Sequence, residues 1–344
     1  MNRPPIRFAA LGLDHRHIFG MAAGMIEAGG EFARFWTEGA PQPMAGFKKR
    51  FPDVPRADAL AEVLEDQSID LVLIAAPPAD RARLAISAMQ HGKDVMLDKP
   101  GCLTHAELTE IETTIALTGR IWSVNFSERF EVPAVTVADR LLAEGRIGKV
   151  VQTLSMAPHR LNAHMRPGWF WTPETYGGII GDIGTHQIDQ FLHFSGARDA
   201  RIAHAAVGNF NTPDHPGFED FGEINLVAGE VQGYARLDWY TPDAAPNWGD
   251  GRLTILGTEG YIELRKYFDV CGQPGTDHVF LVNGSDYQRF DAADAGTPYF
   301  HRLADDICNR TETACSQAHT IMVMRLAMDA QAMAERRGRL ARGG

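Results

Sequence analysis

Apolar residues along the first third of the chain follow two rhythms. Short continuous runs, "IRFAALGL", "EFARFWTE", "IDLVLIAAPP", "DVMLDKP" and "IWSVNF", read as strands, most of them buried. Between them apolar positions recur at helical spacing: Ile18, Met21, Ala22, Met25 and Ile26 mark one helix, ended by Gly29-Gly30. "ADALAEVLED", "DRARLAISAMQHG" and "THAELTEIETTIALTG" mark three more, the last with Thr104 as N-cap. Strands alternating with helices predict a doubly wound parallel sheet with right-handed crossovers. A ligand binds such a sheet at the carboxyl ends of its strands. That end carries Gly12, Ala76-Pro77-Pro78, Asp98-Lys99-Pro100 and the residues after Val124.

After about Asn125 the texture changes. A helix, "PAVTVADRLLAEG", is followed by the strand-like runs "KVVQTLSM", "RIAHAAVGNF", "FGEINLV", "VQGYARLDWY", "GRLTILGT" and "GYIELR". Their short connections predict an open, largely antiparallel sheet. "YFHRLADDICN" and "AHTIMVMRLAMDAQAMAERR" close the chain as helices. A length of 344 residues suits two domains, expected at 1–123 (α/β) and 124–344 (α+β, with closing helices over 299–338).

Charge narrows the function. A net charge of −11 argues against nucleic acid or an anionic membrane as partner. Cys102, Cys271, Cys308 and Cys315 show no metal-type pairing, which fits a reduced, cytoplasmic compartment. The first twenty residues lack the pattern of a signal peptide, and no apolar run is long enough to span a bilayer. The basic end "ERRGRLARGG" reads as a solvated helix C-terminus.

The candidate chemistry concentrates in "GGIIGDIGTHQIDQFLHF", residues 177–194. Asp182, His186, Asp189 and His193 fall at i, i+4, i+7 and i+11, one helical face within an otherwise apolar segment. Burying charge is costly unless it is paired or used. Three readings stay open on pattern alone: a polar helix side, a metal site on Asp-x-x-x-His-x-x-Asp, or an acid/base group with Asp182 orienting His186.

"GGIIGDIGTHQID" resembles the signature Gly-Gly-Gly-x-x-x-Asp-x-Gly-x-His-x-x-Asp of the Gfo/Idh/MocA oxidoreductases, and "GKDVMLDKPGCLTHAEL" resembles that family's Glu-Lys-Pro signature. "VNFSERFEVP", "LLAEGRIGKVVQTLSM" and the closing helices also follow its order. The resemblance implies a Rossmann nicotinamide domain and a second domain with an open sheet. It implies hydride transfer between NAD, or NADP, and a carbon of a sugar, polyol or cyclitol. By matched position Lys99 and His186 are the catalytic pair and Asp182 the substrate-orienting neighbour. A free lysine is a poor base at neutral pH, but an ammonium beside a cationic, oxidised nicotinamide loses its proton more readily. An imidazole needs no such help.

The sequence departs from the family in its first loop. "GLDHRHIFG" keeps Gly12 but has Asp14 and His17 where the second and third glycines belong. His15, Arg16 or His17 then supply donors to the pyrophosphate, or Asp14 is an N-cap with the histidines exposed. His15 and His17 would need a third ligand to hold a metal, and none is evident, so no metal is assigned. Glu38 is the expected ribose acid, with no arginine directly after it, which favours NAD over NADP; Asp98 stands where Glu is usual. Asn125, Arg129, Arg166 and Trp169 are candidate substrate contacts, with His164, Trp171 and Tyr176 nearby in sequence; core packing is the alternative for the aromatics and a structural role for Arg129. Tightly held NAD serving a glycosidase or lyase, a catalytically silent ligand sensor, and a metal-dependent enzyme are the rival functions. The resemblance, with an open sheet face, implies a homodimer or homotetramer.

Overall fold

A computed structural model describes residues 5–338; the last six residues of the basic end lie outside them. Contacts divide the chain into two compact units. One holds the described residues up to Phe126, with Glu174–Gly177 and Pro298–Met324; the other holds Ser127–Pro173, Gly178–Thr297 and the described residues from Arg325 onward.

The first unit is built on strands β1 (Arg7–Leu13), β2 (Glu31–Trp36), β3 (Leu71–Ala75), β4 (Asp94–Asp98) and β5 (Trp122–Asn125). They form one parallel sheet in the order β2-β1-β3-β4-β5. Helices α1 (Ile18–Glu27), α2 (Met44–Arg50), α3 (Ala61–Leu64), α4 (Pro78–Gln90) and α5 (His105–Thr118) intervene. The strands carry continuous apolar runs because both faces of the sheet are covered: Phe8, Leu11, Leu73, Ile74, Leu97 and Val124 are wholly buried. Each such side chain contributes about 1.5–3 kcal/mol through its removal from water. Thr104 caps α5 as expected, in a capping box with Glu107, and Gly119 ends it at φ 63°. "ADALAEVLED" yields only the single turn α3. The closing helix Tyr299–Asn309, read above with the second domain, groups with this unit. Tyr299 Oη lies 2.7 Å from Ser123 Oγ on β5, and the Phe300 ring fills the space left by Gly24.

The second unit contains α6 (Ser127–Phe130), α7 (Pro133–Ala143), α9 (Thr185–Ser195) and strands β6 (Val150–Pro158), β7 (Arg201–Gly208), β8 (Phe221–Ala228), β9 (Val231–Asp238), β10 (Arg252–Gly257), β11 (Gly260–Arg265), β12 (His278–Asn283) and β13 (Tyr287–Asp291). The short helix α8 (Pro173–Tyr176) lies at the junction of the two units in sequence, and α10 (Tyr299–Asn309) and α11 (Gln317–Arg337) end the chain. The strands form one sheet in the order β13-β12-β11-β10-β6-β9-β8-β7, antiparallel except for the parallel pair β6–β9. Two of its strands, "HVFLVN" and "YQRFD", were not read from the sequence; the first alternates Val279 and Leu281 into the core, and the second is the exposed edge strand.

One face of this sheet is covered. α7 packs Val135, Val137, Ala138 and Leu141 into a core with Leu253, Ile255, Ile262, Leu264, Val279 and Leu281. α9 covers the neighbouring strands, and Gly233 admits the Phe191 ring, whose atoms would lie 2.6 Å from a Cβ there. The opposite face, with Leu154, Met156, Tyr234, Arg236, Thr254 and Glu263 in register, is half-exposed.

Candidate functional site

In the first unit the carboxyl ends of β1, β3 and β4 converge as the topology requires. Gly12 has φ +73°, and a Cβ there would lie 2.5 Å from Ala76 Cα, so the loop after β1 can pass the next strand only with glycine at this position. His15 N donates to Ala75 O at 3.0 Å, and Leu13 N donates to Thr37 Oγ1 at 3.2 Å. Pro77, extended, precedes α4, whose first residue is Pro78. Glu38 is exposed just after β2, and Arg56 Nη2 donates to Thr37 O and Gly39 O on either side of it, at 2.7 and 2.9 Å.

Asp98, the last residue of β4, is the hub. It is wholly buried, yet both oxygens accept twice: Oδ1 from His17 Nδ1 (2.7 Å) and Lys99 N (2.8 Å), Oδ2 from His15 Nδ1 (2.9 Å) and Arg81 Nη2 (2.8 Å). Burial alone would raise its pKa, but His15, Arg81 and His17 outweigh that and hold it well below the usual carboxylate range. Burial pushes the His15 imidazole down to about 4 against the pull of Asp98, so His15 is neutral at neutral pH. Asp14 is pushed up to about 6, by burial first, with Arg81 opposing. Arg81 is itself fully buried on α4; it also bonds Ala76 O (2.8 Å), Asp98 O (3.0 Å), Pro100 O (3.1 Å) and Lys99 O, and so holds the backbone that presents Lys99. Lys99 is 3% exposed, and Asn125 lies opposite Asp98 in the β4–β5 register. Arg16, by contrast, turns to Gln42 on the surface at 3.0 Å.

In the second unit the four ionisable residues of the glycine-rich segment separate into two kinds. A π turn, Ile180–Gly184, carries Asp182, and α9 follows with His186; both side chains are buried. π turns of this sort recur at functional sites. Gly178, at φ +71°, lets Ile179 N reach Glu219 Oε2 at 2.9 Å; a Cβ would collide with Glu219 and Gln331. Asp189 and His193 serve structure: Arg129 forms a bidentate pair with Asp189 (2.7 and 2.6 Å), and His193 Nε2 lies 2.6 Å from Asp139. Arg166 lies over the Phe170 and Trp239 rings and donates to Leu161 O at 2.7 Å, while Trp169 is partly exposed beside Phe170. Trp171 stacks on His215, with centroids 3.9 Å apart.

A buried network that the sequence reading missed supports α9. Glu128 Oε2 accepts from Gln187 Nε2 (2.9 Å) and Lys266 Nζ (3.1 Å); Lys266 Nζ also donates to Gln190 Oε1 (2.6 Å), and Gln190 Nε2 donates to His186 O (3.0 Å). Burial would raise the Glu128 pKa, but Lys266, His186 and His159 hold it far below its usual value. One signal was available: Ile262, Leu264 and Lys266 alternate, so the lysine continues the buried face of β11. Arg81 had the same kind of signal, since it shares a helix face with Leu84, Ala85 and Ala88. Glu128 had none. An open cavity of 330 Å³ on this unit, lined by Arg236, Asp238, Tyr240 and Arg252 among others, includes none of the residues singled out from sequence.

Comparison with known proteins agrees with this geometry. The model of the oxidoreductase family with an NAD-binding Rossmann fold matches residues 32–126, and the Gfo/Idh/MocA C-terminal domain matches residues 135–263. A scyllo-inositol 2-dehydrogenase (NAD(+)) of Bacillus subtilis is 29% identical over 203 residues, 58% of this chain and 56% of that protein. The chain thus spans about half the length of the curated relatives it matches. A crystal structure from Erwinia carotovora atroseptica, provisionally named an oxidoreductase, is 43% identical with TM-score 0.94, covering 98% of this chain and 100% of that one. A levoglucosan dehydrogenase solved with NADH and levoglucosan shares the fold at 18% identity, TM-score 0.78, over 97% of this chain and 98% of that one. The sheet orders, the two signatures and these matches together establish that the chain belongs to the Gfo/Idh/MocA family of oxidoreductases.

Proposed function

We propose that the protein is an NAD(P)-dependent oxidoreductase that moves a hydride between the nicotinamide and a secondary alcohol or ketone of a sugar, polyol or cyclitol. The observation that carries this reading is the convergence at Asp98: it joins the loop after β1 to the backbone of Lys99 at the crevice end of a Rossmann sheet. The residues fit a dinucleotide. Gly12 keeps the close backbone approach, and His17, its Nδ1 fixed by Asp98, stands at the start of α1 where the third glycine belongs, with His15 beside it on the same carboxylate. Glu38 takes the ribose hydroxyls, and Ala76 and Pro77 line the neighbouring strand end. A nicotinamide bound there supplies the hydride acceptor or donor. Lys99 binds the substrate oxygen and handles its proton; His186 is the relay or base, and Asp182 orients the substrate hydroxyl. Asn125, Arg129, Arg166 and Trp169 are the remaining candidate contacts; for Arg129 the bidentate pair with Asp189 supports the structural alternative.

The family match and the two-layer motif pattern support domains meeting near residue 123. The half-exposed sheet face supports a homodimer or homotetramer, measurable by light scattering. The reduced thiols support residence in the cytoplasm. Among the described residues no helix is long and apolar enough to cross a membrane. A screen of sugars, polyols and cyclitols for formation of reduced nicotinamide tests the function. Lys99→Ala and His186→Ala should each lower kcat by about 10²–10⁴-fold. Failure of the parent protein to bind NAD or NADP would end the proposal. Substrate turnover with no exchange of free NADH would instead favour transient oxidation by a tightly held cofactor.

A further inference from the structure

The loop after β1 carries two imidazoles for which the sequence offered no third ligand; the fold supplies one. His15 Nδ1 and His17 Nδ1 lie 2.9 and 2.7 Å from separate oxygens of Asp98, and one ligand atom from each of the three residues falls within 4.8 Å of the others. We propose that His15, His17 and Asp98 form a binding site for one divalent transition ion of the Zn²⁺ class. Two imidazole nitrogens and a carboxylate oxygen are the donor set of open three-ligand zinc sites, in which water completes the coordination. Imidazole and carboxylate together also favour Zn²⁺, Ni²⁺ or Cu²⁺ over Ca²⁺ or Mg²⁺.

Each Asp98 oxygen faces one of the two rings, Oδ1 that of His17 and Oδ2 that of His15. A cation takes the place of the two hydrogens now shared between them and draws nitrogen and oxygen to a common centre at about 2.0–2.2 Å. A neutral ring keeps its proton by moving it to Nε2, and a charged ring releases one proton to solvent, so the exchange balances. The carboxylate is already held in place: Arg81 Nη2 donates to Oδ2 and Lys99 N to Oδ1, each at 2.8 Å, which orients it as second-layer partners do in metal proteins. The access is suitable as well: Asp98 and Arg81 are sealed from solvent, while the His15 and His17 side chains keep 19% and 32% of their surface exposed, which leaves an entry path from that side. The guanidinium of Arg81 opposes a second cation, so the site is weaker than a structural zinc site. The same imidazoles flank the dinucleotide in the reading above, so the ion and the dinucleotide compete for them; the inference itself rests on three side chains within one unit and does not depend on hydride transfer.

The test uses the untagged full chain, stripped by a chelator and titrated with Zn²⁺ by calorimetry and with Co²⁺ by visible absorption. One equivalent should bind, and Co²⁺ should give the strong visible bands of four- or five-coordinate imidazole ligation. His15→Ala, His17→Ala and Asp98→Asn should each weaken binding at least about tenfold, whereas Cys271→Ser with Cys308→Ser should leave it unchanged. Parental affinity in a folded His15→Ala/His17→Ala double variant, or a Co²⁺ spectrum like that of the aqueous ion, overturns the site. If the double variant fails to fold, His17→Gln at the more exposed position decides the matter: unchanged binding there also overturns it.

Discussion

Among the carboxylates that the two units bury, Asp98 in the first and Glu128 in the second are treated differently. Glu128 is enclosed together with its counter-ion: Lys266 and Glu128 have side-chain exposures of 1% and 3%, the amides of Gln187 and Gln190 complete the bonds around them, and His159 Nε2 lies 3.8 Å from the other Glu128 oxygen. Asp98 is sealed, but the imidazoles it holds reach the surface. The first arrangement fixes structure around α9, since both charged partners are buried. The second transmits the position of a buried charge to groups that a ligand can touch. Burial of an acid therefore does not by itself mark a reactive site; the exposure of its partners decides which kind of acid it is.

The contrast breaks most visibly in stability. Removing one member of an enclosed pair leaves the other charge buried without its partner, which costs about 3–5 kcal/mol. Glu128→Gln and Lys266→Met should each show that loss in urea unfolding at pH 7, and the double variant should regain most of it. The sign with pH follows from the depressed Glu128 pKa. Its contribution is fully present above the unfolded value of about 4.5, declines progressively as pH falls below that, and is gone once pH has passed through the far lower folded value. The gap between parent and Glu128→Gln should thus hold from pH 7 down to about pH 5. Single variants costing under about 1 kcal/mol would put this pair with exposed ion pairs.

Asp98→Asn should cost less, about 2–3 kcal/mol, because only Arg81 among its side-chain partners is a permanent buried charge and His15 is neutral. Its larger effect should be on dinucleotide affinity, measured by quenching of NADH fluorescence, since the loop after β1 loses its anchor. A variant that loses stability but not affinity would place Asp98 with Glu128 after all. Gly12→Ala sharpens the same point from the backbone side. The φ of +73° and the 2.5 Å approach to Ala76 should cost about 1–3 kcal/mol and weaken dinucleotide binding without touching a charge.

Much of this was legible in the letters, for reasons that differ by element. Runs such as "LVLIA" and "DVMLD" announce a parallel sheet because both of its faces are covered. The crevice end followed from topology, and Asp98, His15 and His17 were singled out, but not their mutual contact. Eighty residues separate the loop after β1 from the end of β4, and nothing in either stretch encodes the register that brings them together. Lys266 and Arg81 were visible as charges on apolar faces, at period two and at helical period respectively, and a stricter reading of those patterns would have found them. Glu128 could not have been found. It sits on a single turn, Ser127–Phe130, where neither strand nor helix periodicity exists to mark it as inward-facing. Asp189 and His193 mislead in the opposite sense: they share a helical face with His186 but pair with Arg129 and Asp139.

The smallest effect concerns cofactor choice. Glu38 is exposed beyond β2, and the guanidinium of Arg56 is turned to the carbonyls of Thr37 and Gly39 on either side of it. A carboxylate accepts from ribose hydroxyls and repels a 2′-phosphate, so the parent should prefer NAD over NADP. Glu38→Ala should weaken NAD binding by about tenfold or less, near 1.4 kcal/mol, and raise the relative affinity for NADP. Arg56 then becomes informative. In the Glu38→Ala background its guanidinium can leave the carbonyls for the added phosphate, so Arg56→Met should erase the gain for NADP while leaving NAD binding as it was. Equal loss of both nucleotides on Arg56→Met would mean that Arg56 acts only by shaping the turn. The ribose acid would then sit on a loop held by the same logic as Glu128, through bonds that fix structure alone.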